Sequence, residues 1–282
     1  MSGITRRAIA AAIAISALLP GAALAADPIK EIRIDWATYN PVSLILKQKG
    51  LLEKEFAKDG ISVVWVQSAG SNKALEFLNA GSIDFGSTAG SATLVAKING
   101  NPIKSVYVYS RPEWTAPVTS AKSDIKTVAD LKGKAVDVTR GTDPPIFLVR
   151  ALAEAGLTDK DVRFVLLQHA DGRLALSRGD VQAWAGLDPM MASAELDEGA
   201  KLFYRKPEAN TWGILNVREE FAKAHPQLVQ RVLKVYEQGR RWALAHPDQL
   251  TKLLAEAAKI PENVAAKQLN ERPELTHSAN GK

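Results

Sequence analysis

Apolar positions along this chain follow two alternating rhythms. Short runs at 32–36, 61–66, 83–85, 106–109, 135–138, 162–167, 181–185, 202–204 and 212–217 read as strands. Between them, apolar residues recur every three or four positions at 41–58, 72–79, 92–98, 145–154, 173–177 and 190–196, and these stretches read as helices. Strands that alternate with helices predict an α/β fold, with parallel sheets covered on both faces. From residue 218 to about 269 the pattern becomes almost wholly helical.

The α/β series occurs twice, and the second copy resembles the first. Val64-Trp-Val-Gln-Ser-Ala69 parallels Leu166-Leu-Gln-His-Ala170, with a shared Gln-x-Ala just after a strand. A short helix follows in each, after which Ala80-Gly-Ser-Ile-Asp-Phe-Gly86 parallels Arg178-Gly-Asp-Val-Gln-Ala-Trp184. Two similarities in the same order predict two equivalent lobes. Crossings between them are expected at Arg111–Pro117, with Pro at each end, and near Asn210–Gly213. The expected division is 1–25, 26–112 in the first lobe, 113–212 in the second, and 213–282 returning to the first. Two crossings make a hinge, and the cleft between lobes is the natural ligand site.

The segment 1–25 has the form of a cleavable signal peptide. Arg6-Arg7 precede an apolar stretch at 8–19, Pro20-Gly21 break it, and Ala23-Leu24-Ala25 supply the small-x-small pattern. The stretch is shorter than the about 20 residues a transmembrane helix needs. The arginine pair admits twin-arginine export, although the residues after it suit ordinary secretion better. The chain has no Cys, so it has neither a lipid-attachment site nor a disulfide. Export without disulfides points to a bacterial periplasm. The formal charge of +5 falls when Arg6 and Arg7 are removed, and the remaining Lys and Arg are scattered among acids. That pattern argues against nucleic acid as a partner and is compatible with a small anionic ligand.

Ligands in open α/β sheets collect beyond the carboxyl ends of the strands. The most informative such place is Gly81–Ser91, where a short strand runs into Ser87, Thr88 and Ala89 just before a helix. Backbone N–H groups at that helix start are expected to face an anion, with the helix dipole behind them. A simple N-cap is the competing reading. Ala37-Thr-Tyr-Asn-Pro41 is a second such loop, or an ordinary turn before a helix. Thr139-Arg-Gly-Thr-Asp-Pro144 is a third; there Arg140 either pairs with an oxyanion or stays solvated. Trp184-Ala-Gly-Leu-Asp-Pro189 is the fourth, in which Asp188 suits an N-cap better than a ligand contact. Trp36, Trp114, Trp184 and Trp212 stand near these loops or crossings, either in the core or walling an apolar ligand tail.

Catalysis finds little support. Gly86-Ser-Thr-Ala-Gly90 imitates a nucleophile elbow with Thr at its centre. Ser123-Asp-Ile-Lys126 matches S-x-x-K without the motifs that accompany it. The 4 histidines are too dispersed for metal-ligand spacing, and no nucleotide-binding loop is present. No catalytic residue, metal or cofactor is expected.

The strings WATYNPVSLILKQKGLLEKEF, VQSAGSNKALEFLNAGSIDFGSTAGSATLVAKINGNPIKSVYVYSRPEW, TRGTDPPIFLVRAL, LLQHADG and WAGLDPMMA resemble the periplasmic aliphatic-sulfonate-binding proteins of ABC importers. Those belong to the nitrate/sulfonate/taurine substrate-binding group. The resemblance implies a type II periplasmic binding protein fold, a two-lobed monomer that presents its ligand to a membrane permease and its ATPase. Carried over by matching motif, the implied contacts are Thr38, Tyr39, Asn40, Gln67, Ser87, Thr88 and Ala89. The second lobe adds Arg140, Gly141 and Thr142, with Trp184 and Asp188 nearby and Trp114 or Trp184 against the carbon tail. Relatives are expected to run on through further helices after residue 278, and Pro145 departs from their pattern. The same fold serving taurine, nitrate or another oxyanion stays open. So does an enzyme like the thiamin-pyrimidine synthases, against which the lack of Cys counts.

Overall fold

The computed structural model describes residues 29–272 and 275; the signal read at 1–25 lies outside them. The chain begins with β1 (Glu31–Trp36), α1 (Pro41–Lys49), α2 (Leu51–Phe56), β2 (Ser62–Gln67) and α3 (Ser71–Asn79). It continues through β3 (Phe85–Ala89), α4 (Gly90–Ile98) and β4 (Ile103–Ser110). A second series follows: β5 (Pro117–Thr119), β6 (Ala135–Val138), α5 (Asp143–Glu154), β7 (Arg163–Leu166), α6 (His169–Arg178), β8 (Ala183–Ala185), α7 (Met190–Glu198) and β9 (Lys201–Leu202). The last part comprises β10 (Gly213–Arg218), α8 (Glu219–Ala224), α9 (Pro226–Ala245), α10 (Pro247–Ala258) and α11 (Glu262–Glu271).

The strands form two sheets of matching topology, ordered β2-β1-β3-β10-β4 and β7-β6-β8-β5-β9. In each, three parallel strands are followed by an antiparallel one that the chain supplies just after crossing from the other sheet. β5 enters the second sheet after the crossing that leaves β4, and β10 enters the first after the return from β9. The duplication read in the sequence therefore extends to the topology. The two crossings run side by side. The Arg111 guanidinium lies 4.1 Å above the Trp212 ring, and the Thr115 N–H donates to Asn210 Oδ1 at 3.0 Å.

Each sheet carries its own core. Ile32, Ile34, Phe85, Leu215 and Val217 of the first pack against Val42, Ile45 and Leu46 of α1 and Val232 and Tyr236 of α9. Val136, Val138, Ala183 and Ala185 of the second pack against Leu148 and Leu152 of α5. Among the described residues no helix is long and apolar enough to cross a membrane.

Three elements differ from the sequence reading. The single helix expected over 41–58 is broken at Gly50, whose φ of 58° is the left-handed conformation that closes α1. β5 was not expected; three residues that begin with Pro117 give little periodicity. The third strand of the first sheet runs to Ala89 rather than ending at 85, which changes the reading of the segment that follows.

Candidate functional site between the lobes

A small, nearly closed cavity of about 10 Å³ lies between the two sheets. Tyr39, Ser71 and Ala89 line it from the first lobe, and Thr142, Asp143, Pro144, His169 and Leu187 from the second, with Trp114 from the first crossing. Most of these residues sit at helix starts. Ser71 opens α3, Ala89 precedes α4, Thr142 precedes α5 and His169 opens α6, and none of the four helices has a side-chain cap at its N-terminus. Four positive dipole ends, two from each lobe, thus converge on one small space, an arrangement that favours an anion.

The four ends are not equivalent. The amides that open α4 are engaged by the second crossing: Gly90 N donates to the Trp212 carbonyl at 2.9 Å and Ser91 N to Thr211 Oγ1 at 3.1 Å. α5 carries Pro144 and Pro145 in its first turn, which have no N–H to give. The first turns of α3 and α6 contain no proline and face each other. Asn72 Nδ2 donates to Gln168 Oε1 at 3.3 Å across the cleft, and a Cβ placed on Gly70 would stand 3.2 Å from His169 Nε2.

Asp143 ties the cleft together. Its carboxylate accepts from Trp114 Nε1 at 2.8 Å, from Thr211 N at 3.0 Å and Thr211 Oγ1 at 2.8 Å, and from the Ser91 hydroxyl. These donors come from both crossings and from the first lobe, so its charge is spread over protein donors.

Of the residues singled out from sequence, the structure brings Tyr39, Ala89, Trp114 and Thr142 to the cavity. Tyr39 donates to the Ser87 carbonyl at 2.9 Å and meets Trp114 edge-on at 6.4 Å. The Thr142 hydroxyl donates to the Thr139 carbonyl at 2.5 Å. Gly141 lies on the rim, with a φ of 79° that favours glycine. A Cβ there would reach 3.2 Å from Asn72 Cβ. Thr38 is half-buried in the turn before α1, Gln67 is exposed at the end of β2, and Arg140 is exposed beside Gly141.

The remaining residues have other employment. Asn40 Oδ1 caps α1 by accepting from Ser43 N at 3.3 Å, and its amide donates to the Tyr236 hydroxyl. The main-chain donors expected to be available at Ser87–Ala89 are already engaged, because this segment is a central strand rather than a loop. Ser87 N and Oγ donate to Asp35 at 2.9 and 2.8 Å. The Thr88 hydroxyl accepts from Asn216 at 2.8 Å and pairs with Thr93, and Ala89 N donates to Ser71 Oγ at 2.9 Å. The elbow reading of 86–90 falls for the same reason. Trp184, expected beside the ligand, is fully buried in the core of the second lobe. Asp188, one residue before the N-cap Pro189 of α7, accepts from Ala192 N at 3.1 Å and pairs with Arg272.

Ser71, Asp143, Pro144, His169 and Leu187 were not anticipated. For Ser71 and His169 the signal was present in the repeated Gln-x-Ala, which places an equivalent helix start in each lobe. Among the described residues no cluster of His, Asp and Glu could hold a metal ion.

Two sheets of equivalent topology, crossed twice and enclosing a cavity rimmed by helix N-termini, define a two-lobed periplasmic binding protein fold. The chain belongs to the NMT1/THI5-like family, whose model it matches over residues 48–250. It is 32% identical over 279 residues to an Escherichia coli relative named an aliphatic sulfonates-binding protein, covering 98% of this chain and 86% of that one. It also resembles the crystal structure of the periplasmic aliphatic sulphonate binding protein SsuA from Escherichia coli, with a TM-score of 0.77 and 30% identity, covering 90% of this chain and 82% of that one. The alkanesulfonate-binding protein SsuA from Xanthomonas axonopodis pv. citri, solved bound to MOPS, gives a TM-score of 0.82 at 30% identity, covering 87% of this chain and 86% of that one.

Proposed function

We propose that this protein is the substrate-binding component of an ABC importer and captures aliphatic sulfonates in the periplasm. The observation that carries the reading is the convergence of helix N-termini from both lobes on one cavity between them. A sulfonate stays ionised at every physiological pH, so fixed N–H dipoles and neutral hydroxyls suit it better than a titrating partner. Trp114, Tyr39 and Leu187 give the same space an apolar wall for a short carbon tail.

The lobes close about the paired crossings, hold the ligand by main-chain and neutral side-chain donors, and release it unaltered to a membrane permease driven by an ATPase. No chemical step is assigned to the site. Calorimetry of the full chain with ethanesulfonate, taurine, sulfate and nitrate tests this reading. Heat is expected with ethanesulfonate, which should be recovered chemically intact. Heat with nitrate alone, or conversion of the sulfonate, would defeat the proposal.

A further inference from the structure

We infer that His169 is the head-group donor of the second lobe. Its neutral imidazole presents Nε2–H to an oxygen of the bound oxyanion and so selects ligands that offer an acceptor at that point. The inference rests on the sulfonate-binding reading above and adds to it a specificity-determining side chain.

His169 opens α6, lines the cavity and is only 1% exposed. Its Nδ1 is 3.0 Å from Thr139 Oγ1, while its buried Nε2 has no hydrogen-bond partner among the described residues. A buried ring nitrogen without a partner is uncommon in a folded protein and calls for a ligand or a role. Directly opposite stands Gly70 at the start of α3, where a Cβ would approach Nε2 at 3.2 Å. The nitrogen therefore lies beside the facing helix start, where an oxyanion held in the adjoining cavity would meet it next to two dipole ends. Burial holds the imidazole pKa down at about 3, so the ring stays neutral, with one donor and one acceptor nitrogen.

Thr139 supports the tautomer this role needs. Its hydroxyl can donate to Nδ1, which puts the ring proton on Nε2 and aims a donor at the oxyanion. The opposite tautomer would point a lone pair at a negative charge. A neutral donor is also spared the desolvation that a buried cation would suffer on lobe closure.

The test uses the full chain, ethanesulfonate as probe, and three variants, His169→Gln, His169→Phe and Thr139→Val. Gln keeps an N–H near the Nε2 position and Phe keeps the ring volume without it. His169→Phe should weaken binding about 10- to 100-fold, the range for a lost hydrogen bond to a charged group. His169→Gln should bind more tightly than His169→Phe. In ¹⁵N-histidine-labelled protein, the His169 proton should reside on Nε2, and the signal of that nitrogen should move on saturation with ethanesulfonate. In Thr139→Val, which cannot donate to Nδ1, the ligand should bind more weakly. Phe binding as tightly as His, Gln no better than Phe, or a proton found on Nδ1 in the complex would each overturn the inference. If the unaltered protein gave no heat with any sulfonate, the functional reading itself would fall instead, whatever the variants did.

Discussion

Two buried carboxylates at equivalent places in the two lobes dominate the chemistry at the residue scale. Asp35 is the penultimate residue of β1 and Asp137 the penultimate residue of β6, and both are fully buried. Asp35 is served by Ser87 N and Oγ, whereas Asp137 accepts from Leu167 N at 3.0 Å through one oxygen, the other having no partner among the described residues. Burial pushes both carboxyls up to about 7. A carboxyl pKa raised on folding means that the native state binds more protons than the unfolded chain between about pH 4 and 7. Its contribution is therefore complete at low pH and is lost as pH rises through 7. His169 works in the opposite direction. Held neutral with a pKa of about 3, it contributes fully above the ordinary histidine value and loses that contribution as pH falls toward 3. Replacing Asp137 by Asn removes its share of the first effect and leaves those of Asp35 and His169. Urea unfolding from pH 5 to 8 should show the parent losing stability relative to Asp137→Asn by up to about 1.4 kcal/mol per pH unit. Parallel curves for the two proteins would mean that Asp137 is ionised throughout.

The decisive feature among the elements is the face-to-face meeting of α3 and α6. Gly70 makes it possible, because a Cβ there would stand 2.8 Å from Asn72 Oδ1 and 3.2 Å from His169 Nε2. Gly70→Ala should weaken ethanesulfonate binding about tenfold by keeping the helix starts apart, a modest instance of the about 1–3 kcal/mol cost of overpacking. Its unliganded melting temperature should change little, since the crowding is at the cleft and not in a lobe core. Unchanged affinity would show that the helices do not meet in the bound state. The elements were largely legible in the sequence, because parallel α/β units carry strong periodicity and because the two copies corroborate each other. What could not be read was use. Ser87 and Thr88 look like ligand donors until their partners are known. Those partners, Asp35 and Asn216, lie 52 and 128 residues away. Trp184 likewise reads as a loop residue, and only the pairing of β8 with β5 and β6 places it in a core. His169, by contrast, was visible as the variable residue inside a repeated Gln-x-Ala, but its meaning depends on the facing Gly70.

Across the whole molecule, the lobes are joined by more than the two strand crossings. α11 packs Ala265 and Leu269 against Leu44 of α1 and Leu254 of α10, in the first lobe. The residue after it, Arg272, reaches into the second lobe. Its guanidinium is buried and pairs with both oxygens of Asp188 at 2.7 Å, and it also bonds Glu195. Asp188 lies just before α7 and, despite this cation, burial holds its carboxyl up at about 6. A buried pair is weak evidence for net stability, but removing one partner is costly because the other charge stays behind, typically about 3–5 kcal/mol. Arg272→Met should therefore destabilise the protein, and the penalty should grow with pH. Without the guanidinium, the Asp188 carboxyl rises further above its unfolded value. Its protonated form is then tolerated at pH 5, while its ionised form must be buried alone at pH 8. Glu195 keeps Lys267 at 3.6 Å, so it does not contribute a second stranded charge. Adding Asp188→Asn to Arg272→Met should recover most of the loss at pH 8 and little at pH 5, because the amide has no charge to strand and can still accept from Ala192 N. If the single variant lost the same stability at both pH values, Arg272 would be acting through packing alone. The lobes would then be clasped by shape rather than by charge.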